Sequence, residues 1–306
     1  MLDLCTLGTG GAIPLPERAL SSLYVRTGGK ALLIDCGEGT QTQIRRLGWG
    51  FKNIDVLLLT HYHADHCGGL PGFLLSMAKT NREEPLAIYG PPGLRRVVEA
   101  LRVIAPQLPY ELTLHELPLQ ETAFTAVGLE ITAFPLDHGV PCLGYDLRLT
   151  RRPAFDAVKA RALGVPMPLW KGLQLGEPAV WEDHRVEPEQ VCGAPRKGLH
   201  VLYATDTRPV PAIPRLGAGA DLLLLEGMYD AEEKHPLAVK NHHMLYREAA
   251  ALAGEAGASR LVLTHFSNSI EDPSLLLDNA RAVFPETEAA ADLSVFTLEF
   301  PGRKPG

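Results

Sequence analysis

The chain has 306 residues, of which 46% are hydrophobic and 21% charged, and its formal net charge is -7. This composition is that of a globular protein with a sizeable core, and it excludes a disordered chain and a generally basic nucleic-acid coat. Five scattered cysteines without a Cys-x-x-Cys spacing indicate reduced thiols and a cytoplasmic location. With no evident secretory leader and no apolar run of about 20 residues, we expect no membrane partner.

Predicted strands and helices alternate along the chain. The strands are short runs rich in β-branched and apolar residues, expected at Asp3–Leu7, Ser22–Arg26, Ala31–Asp35, Asp55–Thr60, Leu86–Tyr89, Leu129–Pro135, Tyr145–Leu149, Leu199–Ala204, Asp221–Leu225, Arg260–Thr264 and Leu293–Glu299. Apolar residues at three- and four-residue spacing predict helices at Gly69–Lys79, Gly93–Ile104, Met244–Ala256 and Pro273–Val283. This order predicts an α/β fold with helices covering the outer faces of sheets.

The stretch from Arg148 to Gly176 differs, because it carries six basic residues against a single acid, Asp156. Its basic residues are Arg148, Arg151, Arg152, Lys159, Arg161 and Lys171. We interpret residues 148–178 as an arm that is inserted into a single domain spanning 1–306 and projects from it. A short helix is expected around Ala154–Leu163, with Trp170 in a small apolar core of the arm. The alternative is an ordinary solvated surface excursion.

A hexapeptide with three histidines and one aspartate, His61-Tyr62-His63-Ala64-Asp65-His66, follows the predicted strand Asp55–Thr60. Alternate residues of an extended segment point the same way, so His61 and His63 can bind one cation together. Asp65 and His66 lie past the bend and can turn toward a second cation. Mixed nitrogen and oxygen ligands favour zinc over calcium or magnesium, which prefer oxygen alone.

Three more predicted strands are followed by residues of ligand type. These strands and residues are Leu129–Pro135 with His138, Leu199–Ala204 with Asp206, and Arg260–Thr264 with His265. Each residue alone is equally well explained by a structural hydrogen bond. Neighbouring strands that end at one edge of a sheet would bring all of them together, and the joint pattern therefore predicts a binuclear metal centre.

These features resemble the metallo-β-lactamase superfamily and, more closely, the ribonuclease Z family within it. Besides the hexapeptide, the matching segments are Leu7-Gly8-Thr9-Gly10, Asp35-Cys36-Gly37-Glu38-Gly39-Thr40-Gln41, Gly69-Leu70-Pro71-Gly72, Tyr89-Gly90-Pro91, His138-Gly139, Asp206-Thr207-Arg208, Glu226, His243 and Leu263-Thr264-His265. The resemblance implies a four-layer αββα sandwich, the metallo-β-lactamase fold, with its metals at one edge.

The resemblance also implies two Zn2+ per subunit, although Mn2+ or Fe2+ can occupy similar ligands. The implied ligands form a first group of three, a second group of three and one bridging residue: His61, His63 and His138; Asp65, His66 and His265; and Asp206. Asp35 is expected behind the ligands, where a buried carboxylate bonded to backbone donors is an equally good description.

The activity that the resemblance implies is endonucleolytic removal of the 3′ trailer of precursor tRNA by metal-activated hydroxide. Asp65 would take the proton of the attacking water, and His243, oriented by Glu226, would protonate the leaving group. His242 is the alternative to His243. The arm would contact tRNA phosphates from within a homodimer, through Arg151, Arg152, Lys159, Arg161 and Lys171.

The match is weaker in the early loop Pro14-Leu15-Pro16-Glu17-Arg18-Ala19, where Pro16 and Ala19 stand in place of a common lysine and asparagine. The cleavage position and the treatment of a CCA end stay open for that reason. The alternatives are a general phosphodiesterase, a lactonase or β-lactamase on the same scaffold, and a non-catalytic RNA-binding paralogue. A bridging aspartate such as Asp206 favours phosphodiesters over β-lactams, and an inactive paralogue would be expected to have lost ligands.

Overall fold

Most of the predicted strands fold into two seven-stranded sheets in the computed structural model, which describes residues 1–302. Within these residues the strands are β1 Leu2–Gly8, β2 Ser22–Thr27, β3 Lys30–Ile34, β4 Ile54–Leu58, β5 Leu86–Gly90, β6 Leu112–Glu116, β7 Thr122–Ala126, β8 Leu129–Pro135, β9 Leu143–Arg151, β10 Ala179–Trp181, β11 His184–Val186, β12 Arg196–Ala204, β13 Leu222–Glu226, β14 Leu261–Thr264, β15 Thr287–Ala289 and β16 Ser294–Leu298.

The α-helices of the same residues are α1 Thr40–Leu47, α2 Ala64–Cys67, α3 Leu70–Ala78, α4 Leu94–Leu101, α5 Ala157–Ala162, α6 Trp170–Gln174, α7 Ala212–Leu216, α8 His235–Asn241, α9 Tyr246–Ala256 and α10 Asp278–Arg281. Short 3₁₀ turns lie at Arg102–Ile104, Met167–Leu169, Pro188–Gln190, Glu232–Lys234 and Pro273–Leu276. The described helices include none that is long and apolar enough to cross a membrane.

The chain forms two compact units. The main unit consists of Met1–Arg148 and His200–Glu299, and the inserted unit consists of Leu149–Leu199 with the described residues that follow Glu299. The inserted unit therefore begins one residue after the start of the predicted arm and continues beyond its predicted end.

The main unit has four layers because its strands are buried on both faces. In β3, Ala31 and Leu33 pack in the cluster that contains helices α1, α3 and α4, while the alternate residues Leu32 and Ile34 are fully buried on the opposite face. The second sheet has its own outer cluster with helices α7, α9 and α10. A sheet with both faces covered requires a layer on each side, and this arrangement confirms the predicted αββα sandwich.

Parallel pairing brings several strand ends to one edge of the main unit. The first sheet has the order β16-β1-β2-β3-β4-β5-β6, with β3 parallel to β4, and the second has the order β15-β14-β13-β12-β9-β8-β7, with β12, β13 and β14 mutually parallel. At this edge the Leu143 N–H donates to Thr60 O across the two sheets at 2.9 Å. We call the edge where β3, β4, β8, β12, β13 and β14 end the ligand edge.

The elements absent from the prediction have weak apolar patterns. Strands β6 and β7 form the last strand of their sheets and are only partly buried, so they lack the apolar runs of the central strands. Helix α1 contacts the core mainly through Thr40, Gln43 and Ile44, and two of these three are polar. Tertiary packing rather than local periodicity specifies these elements.

The inserted unit has a small core of its own. Leu173, Ala179 and Val186 are buried in it, and the indole of Trp170 packs against them while its Nε1–H donates to Val165 O at 2.9 Å. Helix α5 begins at Asp156, whose side chain accepts hydrogen bonds from the amides of Val158 and Lys159. Trp170 therefore lies where the sequence predicts it, in the unit's own core.

Candidate metal centre

The ligand edge carries three residues in a strained backbone conformation. Asp35 follows β3, Asp206 follows β12 and His265 follows β14, and their φ angles are 61°, 57° and 55°. The left-handed region costs a residue other than glycine about 1–3 kcal/mol and persists only where the surrounding structure enforces it. Residues in strained conformations cluster at functional sites, so their presence indicates that the ligand edge is a candidate functional site.

One group of ring nitrogens lies at the end of β4. His61 Nε2 is 3.0 Å from His63 Nδ1, and His138 Nε2, which arrives from the loop after β8, is 3.2 Å from the same His63 atom. Burial and the charge of His66 lower the pKa of His61 to about 2, so its ring stays neutral with a free lone pair. The three predicted ligands of the first group are thus in mutual contact.

A second group lies beside the first. The Nε2 atoms of His66 and His265 are 3.1 Å apart, and each is 3.5 Å from Asp65 Oδ2. Although burial opposes ionisation, the rings of His265 and His66 hold the pKa of Asp65 well below its usual range. The Asp65 carboxylate is therefore charged.

Asp206 stands between the two groups with one carboxylate oxygen toward each. Its Oδ1 is 3.5 Å from His138 Nε2, and its Oδ2 is 3.2 Å from His66 Nε2 and 3.3 Å from His265 Nε2. Asp206 is buried, and within the described residues its Oδ2 has no hydrogen-bond partner. The structure thus places the predicted bridging residue between the predicted ligand groups.

The geometry fits divalent metal ions. Zinc–nitrogen bonds of about 2.0–2.1 Å at tetrahedral angles place two ligand nitrogens about 3.3 Å apart, close to the separations of 3.0–3.2 Å seen here. Asp206 Oδ2 is buried beside the Nε2 atoms of His66 and His265, and a cation held between these three atoms would match its charge. Burial disfavours charge on His66, but Asp206 and Asp35 outweigh it and hold its pKa well above the usual value, so the site attracts positive charge.

Asp35 lies behind the ligands and orients one of them. Its Oδ2 pairs with His66 Nδ1 at 2.8 Å, and its Oδ1 accepts a hydrogen bond from the Thr60 N–H at 2.8 Å. Thr60 Oγ1 in turn lies 3.1 Å from His61 Nδ1. Carboxylates that bind the far nitrogen of a ligand histidine fix its tautomer and its orientation.

His243 and Glu226 form a pair at the side of the metal centre. His243 Nδ1 is 2.9 Å from Glu226 Oε2, and the His243 ring centroid is 5.1 Å from that of His138. Burial opposes protonation of His243, but the Glu226 carboxylate outweighs it and raises the pKa to about 9. The alternative residue, His242, pairs instead with the exposed Asp137 at 2.9 Å.

One contact of the centre involves a residue without a functional side chain. The Ala12 N–H donates to Asp65 Oδ2 at 2.7 Å, and the neighbouring Gly11 passes so close to His265 that a Cβ there would lie 2.7 Å from His265 Cε1. The sequence analysis does not identify this contact, because a backbone donor in a loop has no residue signature. The only available signal is the small Gly10-Gly11-Ala12 run after β1.

The predicted tRNA-contacting residues all belong to the inserted unit. Most of them are exposed: Arg152, Lys159, Arg161 and Lys171. Arg151 is partly buried, and it donates from Nη1 to Pro301 O at 2.6 Å. Most of the predicted basic side chains thus lie at the surface of the inserted unit.

Comparisons with known proteins agree with this geometry. Residues 2–107 match the family model described as anti-Pycsar protein Apyc1, and residues 170–266 match the beta-lactamase superfamily domain. The match to the beta-lactamase superfamily domain and the geometry of the ligand edge together identify the protein's class: it is a metal-dependent hydrolase of the metallo-β-lactamase fold.

The relatives narrow this class. Ribonuclease Z of Lachnospira eligens is 47% identical, and that of Clostridium acetobutylicum is 44% identical; each alignment covers 98% of this chain and 99% of the relative. The crystal structure of the short form of human tRNase Z has a TM-score of 0.71 at 26% identity, over 97% of this chain and all of that one. The chain belongs to the ribonuclease Z family.

Proposed function

We propose that this chain is an endoribonuclease that removes the 3′ trailer of precursor tRNA, using two zinc ions at the ligand edge. The family supports the reaction, because the relatives are named ribonuclease Z and the solved neighbour tRNase Z. The observation that carries the proposal is the convergence of seven ligand-type side chains from separate strand ends, with Asp206 between the two groups.

The ligands divide into two sets that share Asp206. His61, His63 and His138 would hold one ion, Asp65, His66 and His265 would hold the other, and the two oxygens of Asp206 would contact both. Such a pair of ions supplies activation of water and neutralisation of phosphate charge. Asp35 and Thr60 keep the His66 and His61 rings in place through their far nitrogens.

Asp65 is the proposed proton acceptor for the attacking water. Its carboxylate is ionised, and the Ala12 N–H fixes the position of one of its oxygens at 2.7 Å. A proton acceptor has to lie within hydrogen-bond reach of the proton that it removes, and the Ala12 N–H keeps the Asp65 carboxylate in one orientation at the ligand edge.

His243 is the proposed general acid for the departing sugar oxygen. Glu226 accepts from His243 Nδ1, so the Nε2 side of the ring is left to deliver the proton. Glu226 is itself held, because it accepts hydrogen bonds from the backbone amides of Thr207 and Met244. The raised pKa of about 9 keeps His243 protonated at neutral pH, as the role requires.

The basic residues of the inserted unit are the proposed tRNA-binding surface, with the residues that the sequence singles out: Arg151, Arg152, Lys159, Arg161 and Lys171. Contacts from exposed lysines and arginines to phosphates give affinity without sequence preference. This suits an enzyme that has to accept many different tRNAs.

A homodimer in the cytoplasm is part of the proposal. Val103 and Ile104 of the main unit are 72% and 74% exposed, and Leu75 is 40% exposed, so the surface offers large apolar side chains to a second copy. The five cysteines are free thiols, which suits a reducing compartment. If this surface forms the dimer contact, the sedimentation coefficient of the Ile104→Lys variant should fall from the value of a dimer to that of a monomer. An unchanged dimer would exclude this surface as the contact.

The function is tested by three substrates with and without a metal chelator: a precursor tRNA, bis(p-nitrophenyl) phosphate and a chromogenic cephalosporin. We expect chelator-sensitive cleavage of the precursor at one position near the end of the acceptor stem, read by mapping the new 3′ end. Slower hydrolysis of the diester and none of the cephalosporin are expected. Stepwise shortening of the trailer, or activity that survives complete metal removal, would contradict the proposal.

A further inference from the structure

The segment from Thr9 to Ala19 connects β1 to the strand that follows and lies against the metal centre. Its residue Gly11 donates from its N–H to Phe266 O at 3.0 Å, and the Phe266 N–H donates to Thr9 O at 2.8 Å, which pairs the segment with the chain just beyond His265. Its residue Ala12 supplies the N–H that donates to Asp65 Oδ2. The location of this backbone donor therefore affects how Asp65 is oriented.

Ala12 has little of its own to hold it in place. Its methyl group is exposed, and its φ is 62°, in the left-handed region that residues with a Cβ rarely adopt. A strained, exposed residue keeps one conformation only if the chain on both sides is fixed. The position of the Ala12 N–H is therefore set by the anchors of the segment.

Asp292 anchors both ends of this segment with one carboxylate. Its Oδ1 accepts from the Thr9 N–H at 3.0 Å and from the Thr9 hydroxyl at 2.9 Å. Its Oδ2 accepts from the Ala19 N–H at 2.6 Å and from Gln43 Nε2 at 3.0 Å. Four donors on one partly buried carboxylate join the start of the segment, its end and helix α1.

Arg18 adds a third anchor between these ends. Its guanidinium donates to the backbone oxygens of Ser267, Ile270 and Glu271, which lie just beyond His265. This contact holds the turn of the segment, whereas Asp292 holds its ends, together with the backbone bonds from the Gly10 N–H to Ala19 O at 2.9 Å and from the Phe266 N–H to Thr9 O at 2.8 Å. A substitution at Asp292 leaves these backbone bonds and the Arg18 contacts in place and so removes only the carboxylate clamp.

We propose that Asp292 is a positioning residue for Asp65: its carboxylate clamps both ends of the segment Thr9–Ala19 and so fixes the Ala12 N–H that orients the Asp65 carboxylate. The inference rests on the proposed role of Asp65 as ligand and proton acceptor. Among the described residues, Asp292 belongs to none of the side-chain groups that could hold a metal ion. It acts only through the backbone that it holds.

The variant Asp292→Asn keeps the size of the side chain but replaces one acceptor oxygen by an NH₂ group that faces backbone donors. The metal-loaded enzyme should then show faster amide exchange in the peptide spanning residues 9–19 and faster metal loss to a chelator. Outer contacts of a metal site typically change activity or metal affinity by about 10–100-fold, and we expect kcat to fall by about 10-fold, at the lower end. The KM for precursor tRNA should change less than kcat, because the proposed tRNA-binding residues of the inserted unit are left intact.

The matched control is Asp3→Asn. Asp3 is a buried carboxylate on β1 that, like Asp292, accepts several hydrogen bonds, here from Arg26 and Thr297, but it has no bond to the segment. Loss of the Asp3 carboxylate should lower the melting temperature and leave kcat per metal-loaded molecule unchanged.

Thr9→Val is a milder second test of the inference, because it removes only the hydroxyl donor to Asp292 Oδ1. It should shift the same readouts in the same direction by about two- to threefold.

The experiment compares all three variants with Asp65→Ala on precursor tRNA and bis(p-nitrophenyl) phosphate. Lower kcat on both substrates together with faster exchange at residues 9–19 supports the inference. Normal kcat per metal-loaded molecule in Asp292→Asn would overturn it, and if that variant does not fold, normal values for Thr9→Val would do so. Asp65→Ala separates the two claims: full turnover there contradicts the proposed function, whereas an inactive Asp65→Ala beside a normal Asp292→Asn contradicts this inference alone.

Discussion

His66 and Asp206 at the ligand edge are buried, whereas Arg152, Lys159 and Arg161 of the inserted unit are exposed. Both regions concentrate charge, but in different dielectric surroundings. A buried charge has to be matched by a partner, so losing one ligand leaves the others uncompensated. An exposed charge is screened by water and salt and contributes little by itself. Single substitutions should therefore be severe in the first region and small and additive in the second.

The largest effect is expected from removing a ligand. His265→Ala should reduce turnover of precursor tRNA and of a small diester to the level of the chelated enzyme, because the proposed second metal site loses one of its four side chains. Metal content by mass spectrometry and kcat on both substrates measure this. His200→Ala is the control: His200 is also buried and pairs with a carboxylate, Asp146, but lies outside the ligand groups. If the His265→Ala protein kept its metal and its turnover, a buried charge at the ligand edge would be no more sensitive to substitution than an exposed charge of the inserted unit, which would contradict the comparison.

The next effect is the loss of the general acid. His243→Ala should lower kcat by ~10²–10⁴-fold while the metal content stays normal, as expected when a proton donor is removed. His242→Ala, which breaks only the pair with Asp137, should stay within about threefold of the wild type. If kcat fell equally in the two variants, the assignment of His243 rather than His242 as the general acid would be contradicted.

A smaller and pH-dependent effect is expected for Glu226→Gln. His243 is needed in its protonated form, and the Glu226 carboxylate raises its pKa to about 9, so the wild type should lose activity only as the pH rises through that value. Without this charge the main cause that raises the pKa of His243 is lost while burial still lowers it, so the pKa should fall below about 9. The alkaline limb of kcat/KM should therefore move to lower pH, with a larger loss of activity at alkaline than at acidic pH. An alkaline limb that does not move would show that another group is the acid.

The smallest effects belong to the inserted unit. Lys159→Ala and Arg161→Ala should each weaken tRNA binding uniformly and reduce the slope of log affinity against log salt by about one. Hydrolysis of bis(p-nitrophenyl) phosphate should be unchanged in both. Arg247→Ala, an exposed arginine of the main unit, serves as the matched control. Equal losses on the diester and on tRNA would mean that the basic surface acts on the ligand edge rather than on the RNA.

The sequence also predicts the positions of the functional side chains better than it predicts the backbone contacts that support them. The four-layer sandwich is predicted correctly through the family resemblance, whereas the apolar runs of β3, β13 and β14 by themselves indicate only buried strands. The predicted ligands lie together at the ligand edge because each one follows such a run. Their roles, and that of His243, stay predictions until they are measured.

What the sequence does not predict is the support around these side chains. The Ala12 N–H and the Asp292 carboxylate belong to loops without periodicity, and Asp292 is 273 residues from its partner Ala19. Contacts of this kind depend on the complete fold and not on a local pattern. The His243–Glu226 pair differs from these contacts in having a signal in the sequence. Glu226 ends a buried strand, and a buried carboxylate needs a partner.

The account depends on two divalent ions being held at the ligand edge. The direct measurement is an anomalous difference map from a crystal of the zinc-loaded protein, recorded on both sides of the zinc absorption edge. We expect two peaks on either side of the Asp206 carboxylate, one in contact with His61, His63 and His138 and one in contact with Asp65, His66 and His265. A fully active protein with no peak at these residues, or with peaks elsewhere only, would contradict the account.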